Sequence, residues 1–267
     1  MLERIDPVVR TVQAIRYVTP LREGGSLPAI VEADDDGTYV LKFRGAGQGA
    51  KALIAELVAG EIGRTLGLRV PELVFMQLDP EMARTERDSE IQELIRASAG
   101  LNLALDYLPG ALGFEELDIK AVDGAQASAI VWFDSYVTNV DRTVRNPNLL
   151  TWKKQLWLID HGASLFFHHS WDNYQDRSRS PFAPVRDHIL LRRASALDEA
   201  DVAMRACLTA ERLKAIVARL PAGWLGDEPG FPGEAAHRAA YAGYLSDRLA
   251  ASRIFVEEAQ HARARML

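Results

Sequence analysis

The chain has 267 residues, of which 48% are hydrophobic and 25% charged, with a formal net charge of −6. Such a composition belongs to an ordinary folded protein, long enough for one large domain or two lobes sharing a cleft. The negative balance argues against direct nucleic-acid binding, a single cysteine (Cys207) allows no internal disulfide and fits a reducing cytoplasm, and no uncharged apolar run approaches the ~18 residues of a membrane span.

Met1–Asp6 carries early charge with no apolar run behind it, so no signal peptide is expected. Thr11–Val18 alternates and is rich in β-branched residues, which predicts a first strand. A turn-rich loop with Gly24, Gly25 and Ser26 follows, placed where a nucleotide could be contacted. Ala29–Ala33 and Thr38–Phe43 read as two more strands around the Asp36-Gly37 hairpin turn. On the third strand Tyr39, Leu41 and Phe43 share one face, while Val40 and Lys42 share the other. A partly desolvated lysine there seeks an anion, either a nucleotide phosphate or a glutamate. The competing reading is an edge lysine pointing into water.

The Gly45–Lys51 segment leads into a helix over Ala52–Leu66, with Gly67 as its C′ residue. Glu56 and Glu61 lie on this helix, and one of them can pair with Lys42. Glu56 is preferred because it sits early in the helix, nearer the cleft. The G-A-G-Q-G run could instead cradle phosphates with its N–H groups at the helix start, although no G-K-[ST] follows to make it a P-loop. Pro71–Leu78 predicts a strand, Asp79–Arg96 a charged helical segment, either a solvated face or a mobile insert, and Gly100–Leu108 a strand ending at Pro109-Gly110. That junction suits a hinge between two lobes, with Asp106, Tyr107 and Leu108 nearest an adenine edge. A helix over Ala125–Val140 then delivers the chain to Asp141.

The stretch 139–162 carries the chemistry. Asp141 is followed five residues later by Asn146, and a hairpin (Leu149–Thr151 with Leu156–Ile159) ends in Asp160-His161-Gly162. This is the order in which a phosphotransferase of the protein-kinase type presents its hydroxyl-orienting aspartate and its two metal ligands. Mg²⁺ takes few protein ligands and keeps several waters, so one amide oxygen and one carboxylate suffice. Each half alone is a weak signal, a capped loop or a strand ending in a turn; together they reinforce each other. Residues 163–186 form a polar loop in the position of an activation or substrate loop. His168-His169 lacks a third ligand at a recognisable spacing and reads as surface histidines. From His188 onward the pattern is helical, with helices over Ser195–Leu208, Thr209–Leu220 and Pro232–Met266.

The succession T-Y-V-L-K-F, G-L-R-V-P-E, N-V-D-R-T-V-R-N and L-W-L-I-D-H-G resembles the HipA-like kinases. It is also similar to the D-R-x-x-x-N…D-x-G core of phosphatidylinositol kinases. The resemblance implies an α+β, bilobal protein-kinase-like fold, with a small antiparallel β-rich N-lobe (residues 1–110) and a mainly α-helical C-lobe (residues 111–267). It implies ATP and Mg²⁺ as cofactors and transfer of the γ-phosphoryl group to a protein serine or threonine. It also implies a DNA-binding partner protein. By the same resemblance Lys42 holds the α/β-phosphates, Asp141 positions the acceptor hydroxyl, and Asn146 and Asp160 bind metal. Two departures stand out: Asn139-Val140 replaces the histidine-arginine pair before the aspartate, and His161 stands where eukaryotic kinases carry phenylalanine. A lipid or small-molecule kinase on the same scaffold is an alternative, as is a nucleotide-binding pseudokinase acting as a regulatory module.

Overall fold

The computed structural model describes residues 8–21, 27–226 and 228–266. The N-terminal half contains strands β1 (Thr11–Pro20), β2 (Ala29–Ala33) and β3 (Thr38–Lys42), helix α1 (Ala50–Thr65), strand β4 (Leu73–Leu78), helix α2 (Ser89–Ala97) and strand β5 (Gly100–Asp106). A short β6 (Leu112–Gly113) and helix α3 (Gly124–Tyr136) lead to the hairpin of β7 (Leu149–Trp152) and β8 (Gln155–Leu158). Helices α4 (Tyr174–Arg177), α5 (Leu197–Cys207), α6 (Ala210–Ala218), α7 (Ala222–Leu225), α8 (Glu234–Ala250) and α9 (Ser252–Ala264) complete the described chain.

The first five strands close into a barrel in the order β1-β2-β3-β5-β4. Four pairings are antiparallel as expected. The fifth departs: Thr11–Gln13 run parallel to Phe75–Gln77, which closes the sheet and removes its open edges. Alternation on β3 turns Tyr39 and Leu41 into the barrel core with Val31, Met76 and Ala104, leaving Lys42 on the opposite face. The charged segment 79–96 is less solvated than its composition implies. It splits into a 3₁₀ turn and α2, each started by an aspartate (Asp79, Asp88) accepting from the amide two residues on. Ile91 and Ile95 of α2 bury against the barrel.

Every residue of α1 from Leu53 to Gly63 is buried. The helix packs on β4 and β5 on one side and on α6 and α7 on the other. Gly60 permits the close approach to β4, since a Cβ there would lie 2.7 Å from a Leu73 methyl. Gly67, at φ 78°, ends the helix as its C′ residue. Fully burying Leu57 or Ile62 contributes about 1.5–3 kcal/mol each, so this helix is among the costliest elements to disturb.

Helix α3 ends at Tyr136, four residues earlier than the apolar pattern indicates. Thr138 takes a left-handed conformation (φ 56°) and the Asn139 amide donates to Asp134 O at 2.8 Å, turning the chain away. The last helical stretch, continuous in its periodicity, breaks at Ala251 so that α9 can pack on α3 and α5. No breaker residue marks that corner. Instead the buried guanidinium of Arg248 fixes it by donating to the Ser135 and Tyr136 carbonyls. Among the described residues no helix is long and apolar enough to cross a membrane.

Candidate active site

A cavity of about 570 Å³ opens between the barrel and the hairpin; its lining includes Lys42, Gly47, Gln48, Glu56, Val140, Asp141, Asp160 and Phe166. Three separate parts of the chain deliver these groups. Strand β3 presents Lys42, α1 presents Glu56 from its first half, and residues 139–162 present Asp141 and Asp160, with Asn146 behind the lining and hydrogen-bonded to Asp141.

Lys42 Nζ donates to Asp160 Oδ1 at 2.7 Å and lies 3.7 Å from Glu56 Oε2. Its side chain is 12% exposed. Burial alone would lower its pKa, but the charges of Glu56 and Asp160 outweigh that and hold the ammonium above its ordinary value. Of the two candidate glutamates, Glu56 is the one that faces Lys42. Glu61 turns the other way, toward Arg219 and Arg64.

Glu56 is also gripped by a residue that motif reading passes over. The His161 amide donates to Glu56 Oε2 at 3.0 Å, and His161 Nδ1 lies 3.2 Å from Oε1. Burial would raise the Glu56 pKa, yet Lys42 and His161 together pull it down to about 2. The histidine that replaces phenylalanine after Asp160 therefore binds the lysine-pairing glutamate, which an apolar ring could not do. Only the D-H-G departure itself hinted at such a role.

Asp141 Oδ2 accepts from Asn146 Nδ2 at 2.7 Å and from Asn148 Nδ2 at 3.4 Å. Its amide donates to Asn139 Oδ1 at 3.1 Å. Burial, aided by the negative charge of Asp160, pushes its carboxyl above the ordinary aspartate value against those two hydrogen bonds. The backbone around it is unusual. Thr138, Asn148, Asp160 and Leu165 all take positive φ (49–56°). Such residues concentrate where surrounding structure enforces a functional geometry.

The hairpin that carries Asp160 turns at Lys153 and Lys154, both left-handed, and Gln155 already belongs to β8. Trp152 Nε1 donates to Pro109 O at 2.9 Å, and β6 pairs with β7, so the segment after Pro109-Gly110 is tied to this hairpin.

The donor set fits a small hard cation. Asp160 is 42% exposed, with one oxygen engaged by Lys42, and Asn146 donates through its nitrogen to Asp141, leaving its amide oxygen for an electropositive ligand. Oxygen-only ligands in that number suit Mg²⁺ that keeps waters. Among the described residues no three His, Cys, Asp or Glu side chains gather into a metal site of their own.

The remaining candidates lie elsewhere. Gly24, Gly25 and Ser26 fall outside the described residues. Asp106, Tyr107 and Leu108 sit at the end of β5 and do not line the cavity. The amides of Asp106 and Tyr107 already donate to Glu72 O and Thr38 O, and the Leu108 carbonyl accepts from the Ala111 amide at 3.1 Å, so much of this backbone is already engaged. His168 is no surface residue: it is fully buried, with Nδ1 3.0 Å from the Tyr241 hydroxyl, and burial pushes its pKa well below the ordinary value. Its neighbour His169 is exposed and lines the cavity mouth.

A family model described as HipA-like kinase matches residues 14–241. The structure is similar to the Helicobacter pylori proinflammatory kinase CtkA, with a TM-score of 0.56 at 13% identity, covering 96% of this chain and 99% of that one. It is also similar to the Golgi casein kinase solved with Mn and ADP bound, with a TM-score of 0.52 at 12% identity, covering 94% and 74%. At such identities these likenesses speak for a kinase-like fold alone. No curated protein matches the sequence significantly. With the family match running from β1 to α8, the chain belongs to the HipA-like kinase family.

Proposed function

We propose that this protein is an ATP-dependent kinase transferring the γ-phosphoryl group to a serine or threonine hydroxyl of another protein, on a bilobal scaffold divided near Pro109-Gly110. The observation that carries the reading is the convergence of Lys42, Glu56, Asp141 and Asp160 on one cavity. Glu56 holds Lys42 extended, and Lys42 is the cation positioned for the α/β-phosphates. Asp141, hydrogen-bonded from Asn146 and Asn148, aligns the acceptor hydroxyl and takes its proton. The hydroxyl oxygen bonds to the γ-phosphorus while the bond to the bridging oxygen breaks, and its electron pair leaves with ADP. Asn146 and Asp160 would hold Mg²⁺, which neutralises phosphate charge when bound. Positioning and charge neutralisation supply most of the acceleration in such a transfer.

The test is transfer of labelled γ-phosphate from Mg·ATP, with purified protein alone and with cell lysate, beside an Asp141→Ala control. A labelled protein band that requires Asp141 supports the reading. ATP consumed with lysate metabolites, and no label on protein, would redirect it to a small-molecule acceptor.

A further inference from the structure

A second buried polar cluster lies behind the cavity, made of residues to which the reaction assigns no part. At its centre is Asp134, on the last turn of α3 and fully buried. Its Oδ1 accepts from Asn139 Nδ2 at 2.9 Å and from the Arg142 guanidinium at 3.3 Å. Its Oδ2 accepts from Arg142 Nε at 2.6 Å and lies 2.9 Å from His188 Nε2. Both partners are buried, Arg142 at 1% exposure and His188 at 6%. His188 Nδ1 accepts from the Leu190 amide at 3.0 Å, so Nε2 is the nitrogen that carries the proton to Asp134.

Each partner of Asp134 leads to a different part of the site. Asn139 passes the contact on to the Asp141 amide. Arg142 donates onward to the carbonyls of Asn148 and Ile159, the residues flanking the two ends of the hairpin and adjoining Asp160. His188 belongs to the segment between Gly162 and α5, which meets the Asp141 loop once more: Thr143 bridges His188 in an antiparallel contact in which the Ile189 amide donates to Arg142 O at 3.2 Å.

We propose that Asp134, Arg142 and His188 form a positioning triad that holds Asp141, the Asp160 strand and the end of the 163–193 loop in one arrangement. Resting on the kinase reading above, this deepens it by a statement about regulation: the loop is docked by a built-in carboxylate, so transfer needs no phosphate on that loop. In kinases whose activation loop is ordered by phosphorylation, new arginine–phosphate pairs do that work. Here the arginine beside Asp141 is committed to Asp134 and withdrawn from solvent.

The experiment compares wild type, His188→Ala and His188→Gln by γ-phosphoryl transfer and by amide hydrogen exchange of the folded proteins. Glutamine can still donate to Asp134; alanine cannot. His188→Ala is expected to lower kcat ten- to a hundredfold with KM for ATP changed less than threefold, because the Lys42 side is untouched. His188→Gln is expected to recover most of that loss. Amides of Thr143 and Ile189 should lose protection in the alanine variant and regain it in the glutamine variant. Wild type freed of phosphate by a phosphatase should transfer at its original rate. Unchanged protection at Thr143 and Ile189 in His188→Ala overturns the triad, and it does so even if the wild type transfers nothing, the outcome that instead sinks the kinase reading. A phosphatase-treated protein slowed more than tenfold overturns the regulatory half.

Discussion

Lys42 Nζ and Asp160 Oδ1 meet at 2.7 Å although 118 residues separate them in the chain. The contact spans the cavity from β3 to the end of the hairpin, and it leaves Glu56 dependent on the same ammonium. Replacing Lys42 with methionine should therefore do two things. Phosphoryl transfer should fall to background, and the fold should lose about 3 kcal/mol in urea unfolding. That is the low end for breaking a buried ion pair, because His161 remains as a partner of Glu56. A stable, fully active Lys42→Met protein would refute both statements.

Asp141 must be ionised to accept a proton, and its carboxyl titrates above the ordinary aspartate value. The acidic limb of kcat/KM should accordingly lie above the usual aspartate pKa of about 4. Asp141→Ala should lower transfer by several orders of magnitude while nucleotide binding, measured by calorimetry, stays nearly intact. A variant with full turnover would remove Asp141 from the mechanism.

Glu56 supplies an acid-stability signature. Its folded pKa, about 2, is depressed from the ordinary 4.5. The stabilisation is therefore complete above pH 4.5 and is lost as pH falls toward 2. The shift corresponds to roughly 3 kcal/mol. Urea midpoints measured from pH 6 downward should show this loss in the wild type and a shallower dependence in Glu56→Gln.

Chelation of divalent cations should abolish transfer, and excess Mg²⁺ should restore it. Asn146→Ala should raise the Mg²⁺ concentration needed for half-maximal rate, because it removes the amide oxygen, and it also strips Asp141 of its 2.7 Å hydrogen bond. Asp160→Asn should leave no transfer at any Mg²⁺ concentration. If Mg²⁺ dependence is identical in all three proteins, the metal sits elsewhere.

Much of this arrangement can be read from local patterns. The five-residue interval from Asp141 to Asn146 and the apolar strand before Asp160 are compact signals, and alternation along Thr38–Lys42 is enough to separate Lys42 from the barrel core. What could not be read depends on contacts distant in sequence. The parallel pairing of Thr11–Gln13 with Phe75–Gln77 leaves no mark in either segment. Asp134 sits in an apolar helix like any capping or surface carboxylate, and only the fold brings Arg142 and His188 to it. Glu56 is preferred in the sequence for its place early in the helix; the structure adds the reason in helix phase, since Glu61, five positions on, faces Arg219 while Glu56 faces Lys42. The Ala251 corner was hidden because alanine is the strongest helix former and signals no break.

Helix α1 has no face turned to solvent between Leu53 and Gly63, and its neighbours include both barrel strands and C-terminal helices. In many two-layered proteins one layer can melt while the other survives, but here they share a structural spine. Heating should give a single calorimetric transition, with the calorimetric and van't Hoff enthalpies in agreement. The barrel cannot loosen without withdrawing Glu56 from Lys42, so loss of catalysis and loss of fold should coincide in temperature.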